Sequence, residues 1–225
     1  IADTITTRTR LIFVCNPNNP TGSIVTADEV SQFMARVPDT AIVVFDEAYY
    51  EFADDPAYPD TLPYVLAGRK NVCILRTFSK AYGIAGIRIG YAIAAPELLA
   101  PLRACAESFP VNLLAQVAGE AALRDRAFLE KTVAVNAEGR RQLCREFDRL
   151  GIPYAPSQTN FILAHIGPRA RQVYEELLKR GVIVRPCGGY DLPEHLRITI
   201  GDAGQNARLV ATLETILQEL RTVPV

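Results

Sequence analysis

One lysine of this chain has neighbours that could make it a covalent catalyst. Lys80 ends the run Thr77-Phe78-Ser79-Lys80, which follows an apolar segment, and Arg88 comes eight residues later. A lysine amine can hold an aldehyde as a Schiff base, and hydroxyls and a guanidinium beside it can bind a phosphate group. These residues therefore predict a site for a phosphate-bearing aldehyde such as pyridoxal 5′-phosphate.

The other lysines of the chain have ordinary surroundings. Lys70 lies in a turn-like segment, residues 68–71, whereas Lys131 and Lys179 fall on the polar faces of helical patterns. A lysine in such a position is usually a solvated charge. Lys80 is therefore the candidate for the reactive amine.

Short apolar runs that end in polar residues indicate the strands that position this chemistry. In the first hundred residues they occur at 11–15, 41–46, 72–76 and 88–95. Such runs are typical of strands buried on both faces of a parallel sheet. A helix is expected from the capping box at residues 26–29 to Pro38, which ends it. The alternation predicts an α/β fold with a mostly parallel, doubly wound sheet.

A smaller α/β pattern follows. Prolines at 96, 101 and 110 interrupt the first pattern, and a long helix is expected over 113–150, ended by Gly151 and Pro153. Beyond it, strands are predicted near 160–166, 182–185 and 197–200, and helices near 169–180 and 206–220. The pattern predicts a domain boundary inside the long helix.

Composition narrows the function classes. The net charge of -1 argues against a dedicated nucleic-acid or anionic-membrane surface. No apolar run reaches the roughly 18 residues that a membrane helix needs. The five cysteines are scattered, which is typical of reduced thiols in a cytoplasmic protein, and the two histidines are too far from other ligands to suggest a metal.

The chain begins with Ile1 and its single methionine is Met34, so we expect it to be part of a longer polypeptide.

Polar side chains follow each of the first three predicted strands. An amide-rich loop at 16–22 follows the first strand, Asp46 and Tyr49 follow the second, and Lys80 follows the third. Ligands of open α/β sheets bind beyond the carboxyl ends of the strands, so these groups are expected to share one site. A carboxylate such as Asp46, directly after an apolar run, needs a cationic partner.

Four motifs, in their order along the chain, resemble the fold-type I aminotransferases. They are residues 16–22, 46–52 and 77–88 and the late Arg197. Within that family, residues 181–186 and 189–201 are most similar to the histidinol-phosphate aminotransferases. The resemblance covers the whole chain and implies a pyridoxal-phosphate-transferase-like fold. Residues 1–112 would be the C-terminal part of an incomplete large cofactor-binding domain, and residues 113–225 a linking helix and a small C-terminal α/β domain.

The resemblance also implies roles for the residues around the cofactor. Lys80 would bind the aldehyde of pyridoxal 5′-phosphate and then act as the general base. Asp46 would keep the pyridine nitrogen protonated, and Tyr49 and Asn19 would hydrogen-bond the cofactor's 3′ oxygen. A cis peptide between Asn19 and Pro20 is expected to aim the amide side chain inward.

Phosphate and substrate contacts follow from the same resemblance. Thr77, Ser79 and Arg88 would bind the cofactor phosphate. The substrate-binding residues would be Arg197, Arg185 and Asn160, with the two arginines holding the anionic end of the substrate. For Arg185 an edge salt bridge, and for Asn160 a structural role, remain the alternative interpretations.

The implied reaction is a transamination. Histidinol phosphate and 2-oxoglutarate would give imidazole-acetol phosphate and glutamate in histidine biosynthesis, so the partners are a small-molecule amino donor and a 2-oxo acid acceptor. The family acts as homodimers, which implies a second copy of the chain as a further partner.

Several alternatives stay open at this point. An aromatic or broad-specificity aminotransferase, or a related phospho-amino-acid decarboxylase, would use the same cofactor with a different substrate. A transcription regulator could use an aminotransferase-like domain of this kind to sense an effector. The chain could also be an inactive part of an enzyme, with incomplete cofactor contacts.

Overall fold

The computed structural model describes the backbone of residues 1–222 and the side chains of residues 1–220. The described residues form two compact units, residues 1–17 with 24–130, and residues 18–23 with those from 131 onward. None of the helices in residues 1–222 is both long and apolar enough to cross a membrane.

The first unit contains a mixed sheet. Its strands are β1 (Leu11–Cys15), β2 (Ile42–Asp46), β3 (Val72–Thr77) and β4 (Gly90–Ala94). The sheet order is β1-β2-β3-β4. The first three strands run parallel, and β4 pairs antiparallel with β3. The predicted strands and the mostly parallel sheet are confirmed, and the parallel ends of β2 and β3 lie side by side, with Asp46 opposite Leu75.

The helices of the first unit are α1 (Ala27–Arg36), α2 (Leu62–Leu66), α3 (Pro96–Ala104) and α4 (Leu113–Arg124). The capping box is confirmed: Glu29 N donates to Thr26 Oγ1 (3.3 Å), and Thr26 N donates to Glu29 Oε2 (2.8 Å). Pro96 and Pro101, which follow the last strand of this sheet, both lie in α3. Pro96 occupies the start of this helix, where its missing N–H costs nothing.

One face of β1 departs from the expectation of a strand buried on both sides. Ile12 and Val14 pack with Val30 of α1 in the core, whereas Leu11 is 56% and Phe13 66% exposed. Successive residues of a strand point to opposite faces, and only one face of β1 is covered by described residues. The prediction holds better for β2 and β3, whose apolar side chains are mostly buried.

The single long helix predicted over 113–150 was also wrong, because α4 and α5 (Arg126–Leu150) are separate. Asp125 leaves the helical conformation, and its side chain accepts a hydrogen bond from Phe128 N (3.0 Å), which caps the new helix. A Cβ added to Gly119 of α4 would lie 2.9 Å from Ile89, so α4 packs closely within the first unit. The units accordingly divide at residues 130 and 131, inside α5, and not at the predicted 112 and 113.

The second unit is a smaller sheet packed with helices. Its strands are β5 (Phe161–His165), β6 (Arg185–Pro186) and β7 (His195–Thr199), in the order β5-β7-β6 with antiparallel pairing. Helices α6 (Ala170–Lys179) and α7 (Ala203–Thr222) complete it. The core joins Phe147 of α5, Ile162 of β5, Leu177 of α6, Leu196 of β7 and Leu213 of α7. The other predicted elements are confirmed, but the strand expected near 182–185 was wrong, because β6 contains only Arg185 and Pro186.

Candidate active site

The end of β2 presents two predicted site residues of the first unit. Asp46 is half-buried, and its Oδ1 accepts a hydrogen bond from Ala48 N (3.1 Å). The hydrogen bonding between β2 and β3 continues one residue beyond Asp46, because Glu47 N donates to Leu75 O (2.9 Å). Tyr49 follows and is buried. Asp46 and Tyr49 are thus carried by backbone that remains bonded to the neighbouring strand.

The turn after β3 carries the reactive lysine. Ser79 N donates to Thr77 Oγ1 (3.0 Å), and Gly83 N donates to Lys80 O (3.0 Å), so local hydrogen bonds shape the turn. Phe78 anchors it, since its buried ring lies 4.9 Å from the ring of Tyr82. Lys80 itself is exposed.

Lys80 and Tyr49 come together although they follow different strands. The Nζ atom of Lys80 lies 5.3 Å from the centroid of the Tyr49 ring. In the described residues, Lys80 Nζ makes no hydrogen bond or ion pair, and the carboxylate of Asp46 has no cationic partner. The first unit therefore offers an amine and a half-buried carboxylate whose charges are not matched by its own side chains.

Arg88 has an unusual backbone and an exposed side chain. Its φ of 63° lies in the left-handed region, which is uncommon for residues other than glycine. Its Nη1 donates to Ala85 O (2.7 Å) within the same short turn. The structure thus leaves the guanidinium at the surface of the first unit, eight residues after Lys80.

Asn16 is a structural residue that the motif did not single out. It is 2% exposed, its Nδ2 donates to Val25 O (3.1 Å), and its Oδ1 accepts from Val25 N (3.0 Å). These bonds close the base of the loop at residues 17–24. The sequence signal for this role was the position of Asn16 directly after a strand, because a buried side-chain amide can both donate to and accept from main-chain groups.

The loop of residues 18–23 belongs to the second unit. The Asn19–Pro20 peptide is cis, which confirms the prediction, and the Asn16–Pro17 peptide is cis as well. Gly22 N donates to Asn18 O (2.7 Å), and Gln158 N donates to Gly22 O (2.8 Å). The loop is therefore bonded both to itself and to the segment before β5.

Substitution of Gly22 by alanine is expected to lower the free energy of unfolding by about 1–3 kcal/mol. Gly22 has a φ of +77°, and an added Cβ would lie 2.5 Å from Ser157 Oγ, which is itself hydrogen-bonded to Phe161 O. Urea denaturation measures the effect. Gly151→Ala is the matched control, because Gly151 has a φ of +68° but open space around its Cα. Equal losses in the two variants would show that contact with Ser157 is unimportant.

Arg197 on β7 holds the same loop through its side chain. Its Nη1 donates to Asn19 Oδ1, and its guanidinium carbon lies 4.8 Å from the centroid of the Phe161 ring. Its Nε is buried and has no hydrogen-bond partner among the described residues. Arg185 of β6 is the direct cross-strand neighbour of Arg197 and is exposed. Two positive charges in this position repel each other, so the two arginines favour the binding of an anion between them.

Asn160 is the remaining predicted site residue of the second unit. Its main-chain carbonyl accepts a hydrogen bond from Ile200 N (2.9 Å), and its side chain makes none within the described residues. The structure thus places Asn19, Arg185 and Arg197 together and gives Asn160 a main-chain role beside β7.

The first unit contains a buried ion pair at the ends of β2 and β3. This pair was not predicted from the sequence. Glu47 is enclosed and pairs with Arg76 (2.8 Å). Burial raises the pKa of Glu47, while the Thr61 hydroxyl and the Arg76 guanidinium act against that rise. The available signal was a charged residue at the end of each apolar run, Glu47 directly after the run of β2 and Arg76 as the last residue of the run of β3.

The histidines were not expected to bind a metal. They form a cross-strand pair on β5 and β7, with ring centroids 4.8 Å apart, and His165 Nε2 shares a hydrogen bond with Glu194 (3.0 Å). Partial burial, together with the nearby His165, lowers the pKa of His195. Across residues 1–222, the structure shows no cluster of three or more His, Cys, Asp or Glu side chains that could hold a metal ion.

Comparison with known proteins relates these features to a family. The profile of the aminotransferase class I and II family matches residues 1–213. A histidinol-phosphate aminotransferase of Moorella thermoacetica is 48% identical over 217 residues, which are 96% of this chain and 56% of that protein. A protein of the same name from Akkermansia muciniphila is 49% identical over 95% of this chain and 58% of its own length.

A solved structure gives the same relationship for the fold. The histidinol-phosphate aminotransferase from Sinorhizobium meliloti, in complex with pyridoxal-5′-phosphate, matches with a TM-score of 0.86 and 32% identity over 93% of this chain and 58% of that one. The fold is that of the fold-type I transferases, as predicted, and the chain spans little more than half the length of these relatives. The chain belongs to the class I and II aminotransferase family.

Proposed function

We propose that this chain contributes the lysine, the ring-nitrogen carboxylate and the substrate-anion site of a histidinol-phosphate aminotransferase dependent on pyridoxal 5′-phosphate. The observation that carries the proposal is the Thr77–Lys80 turn, which presents an exposed amine beside the ring of Tyr49. The relatives from Moorella and Akkermansia, both named histidinol-phosphate aminotransferases, support it.

The donor set of the first unit fits the cofactor. Among the described residues, Lys80 has no carboxylate partner and the half-buried Asp46 has no cationic partner. Lys80 therefore has capacity for an aldehyde, and Asp46 for a protonated ring nitrogen. Thr77, Ser79 and Arg88 supply hydroxyl and guanidinium donors for the phosphate. When bound, the cofactor supplies an electron-accepting ring next to the reacting carbon. Lys80 would hold and move the proton at that carbon, and Asp46 would keep the ring nitrogen protonated.

The second unit supplies the proposed substrate anchor. Arg185 and Arg197 are cross-strand neighbours without a carboxylate partner in the described residues, and a phosphate dianion would offset their repulsion. Asn19 accepts from Arg197 through Oδ1, which leaves its Nδ2 group available as a donor. Asn160 borders the same strand through its bond to Ile200. Substrate specificity would then rest on the phosphate more than on the imidazole.

We also propose that the protein acts as a homodimer in the cytoplasm. Leu113, Leu114 and Val117 share one face at the start of α4, and all three are exposed, as is the preceding Phe109. A contiguous apolar patch of this kind favours association with another protein surface. Sedimentation of the purified chain tests the dimer, and a monomer at micromolar concentration would count against this patch as its interface.

The assay that tests the function follows glutamate formation from 2-oxoglutarate with different amino donors. After incubation with pyridoxal phosphate, we expect visible absorbance and turnover of histidinol phosphate at least about tenfold faster than turnover of phenylalanine, since the phosphate engages two arginines. An Arg197→Met variant is expected to lose most of this preference, whereas Arg171→Met, on the exposed surface of α6, is the control.

Other results of the assay would point to the other interpretations. Equal turnover of phenylalanine would indicate a broad-specificity aminotransferase. Release of carbon dioxide from a phospho-amino acid would indicate a decarboxylase. Absence of visible absorbance with added cofactor would show that this chain does not bind it unaided.

A further inference from the structure

Glu47 and Arg76 form a buried ion pair for which the proposed reaction has no direct use. Arg76 Nε and Nη2 lie 2.9 and 2.8 Å from Glu47 Oε2. The side chain of Glu47 is 1% exposed and that of Arg76 is 12% exposed. The pair bridges β2 and β3 one residue beyond the register pair of Asp46 and Leu75. It therefore joins the two strand ends that carry the proposed catalytic groups.

One buried threonine and two half-buried tyrosines surround this pair and extend it to β1. The Thr61 hydroxyl donates to Glu47 Oε1, and the Tyr50 ring centroid lies 3.5 Å from the guanidinium carbon of Arg76. The ring of Tyr58 lies 6.0 Å from that of Tyr50, and its hydroxyl donates to the main-chain oxygen of Asn16 (2.7 Å). We call Glu47, Tyr50, Tyr58, Thr61 and Arg76 the strand-end network. It connects the residues at the ends of β1, β2 and β3.

The ion pair of the strand-end network lies on the face of the sheet opposite Asp46 and Thr77. Successive side chains of a strand alternate between the faces, so Glu47 and Asp46 point in opposite directions, as do Arg76 and Thr77. Each member of the ion pair is thus one residue from a group that would contact the cofactor. A shift of either strand end would therefore move the ion-pair residue and the neighbouring cofactor-binding residue together.

The energetics favour a role in geometry over a role in stability. A buried ion pair loses so much hydration that its net contribution to folding is often small, although removal of one partner leaves an uncompensated charge. Its attraction does, however, depend steeply on the position of both groups. Here Arg76 Nε donates to Glu47 Oε2, and Nη2 lies close to the same oxygen without an aligned hydrogen bond.

Resting on the function proposed above, we propose that Glu47 and Arg76 are positioning residues, which hold Asp46 and the Thr77–Lys80 turn in the arrangement that the cofactor requires. They touch neither cofactor nor substrate. Thr61 hydrogen-bonds the carboxylate, and Tyr50 stacks on the guanidinium.

The test compares two ways of removing the pair. Glu47→Gln leaves the guanidinium without its counter-charge, while the double variant Glu47→Leu with Arg76→Met replaces both charges by apolar groups of similar size. The control is Arg149→Met with Glu214→Leu, which removes an exposed, doubly hydrogen-bonded pair of the second unit. Hydrogen exchange of peptides spanning 46–50 and 77–83 and titration with pyridoxal phosphate are the measurements.

If the pair positions the site, exchange in both peptides rises at least roughly tenfold in Glu47→Gln and in the double variant. Cofactor affinity, from the visible absorbance, falls by roughly tenfold or more in both, even where the double variant unfolds at the same urea concentration as the unaltered chain. The control variant changes neither measurement.

Normal exchange in both peptides and normal cofactor titration in the double variant would overturn the proposal. So would an increase in exchange spread evenly over β1, β2 and β3, since that would show a role in stability alone. If the unaltered chain gives no absorbance with pyridoxal phosphate, the proposed function is in doubt, but the exchange comparison still decides whether the pair positions the two strand ends.

Discussion

Replacement of Lys80 by alanine is expected to abolish the visible absorbance that the chain develops with pyridoxal phosphate and to lower transamination by at least roughly 10⁴-fold. The variant lacks both the amine that bonds to the aldehyde and the base that moves the substrate proton. Other lysines are poor replacements, because Lys70 pairs with Glu97 (2.8 Å) and Lys179 with Glu176 (2.7 Å). Absorbance spectra and the glutamate assay give the two readings.

The matched control is Lys131→Ala, which removes an exposed amine from α5. It should leave both readings unchanged. Persistence of the full absorbance band in the Lys80 variant would mean that another amine binds the aldehyde, and the assignment of Lys80 would have to be abandoned.

Replacement of Asp46 by alanine is expected to lower turnover more than it lowers the affinity for the cofactor. Turnover should fall by roughly 10²- to 10⁴-fold, because the ring nitrogen loses the carboxylate that keeps it protonated. Cofactor affinity should fall less, by roughly 10- to 100-fold, because the contacts of Lys80 and the phosphate donors remain. Turnover is therefore measured at saturating cofactor, and affinity by titration of the absorbance.

Asp39→Ala serves as the control, since Asp39 is an exposed carboxylate of the loop before β2. It should keep normal turnover and affinity. Unchanged turnover in the Asp46 variant at saturating cofactor would remove the role proposed for this residue, whatever happens to its affinity.

Local patterns predicted the parts of the fold that depend on neighbours in sequence. The Thr26 capping box needs only residues three apart, and it is present as expected. The apolar runs of β2 and β3 are confirmed for the same reason, because a strand buried on both faces is apolar along its length. The motifs at residues 16–22, 46–52 and 77–88, followed by Arg197, carried the resemblance to the aminotransferases, and the family match confirms it.

The features that were missed depend on long-range packing or on competing local signals. Asp125 has a side chain that can cap a helix, but the helical pattern continues on both sides of it, so the break was not visible. The bond between Arg197 and Asn19 joins residues 178 positions apart. The partnership of Glu47 and Arg76 depends on the register of β2 and β3, which the separate strand patterns leave undetermined.

The six-residue loop that belongs to the second unit has a consequence for how the protein can be divided. The chain leaves the first unit after Pro17, returns to it at Ile24, and leaves again after Glu130. A truncated polypeptide that began at Lys131 would retain Arg197 but lack Asn19, the acceptor of its hydrogen bond. Chimeras between members of the family should therefore exchange residues 18–23 together with the C-terminal part, because the smaller unit is not encoded as one continuous module.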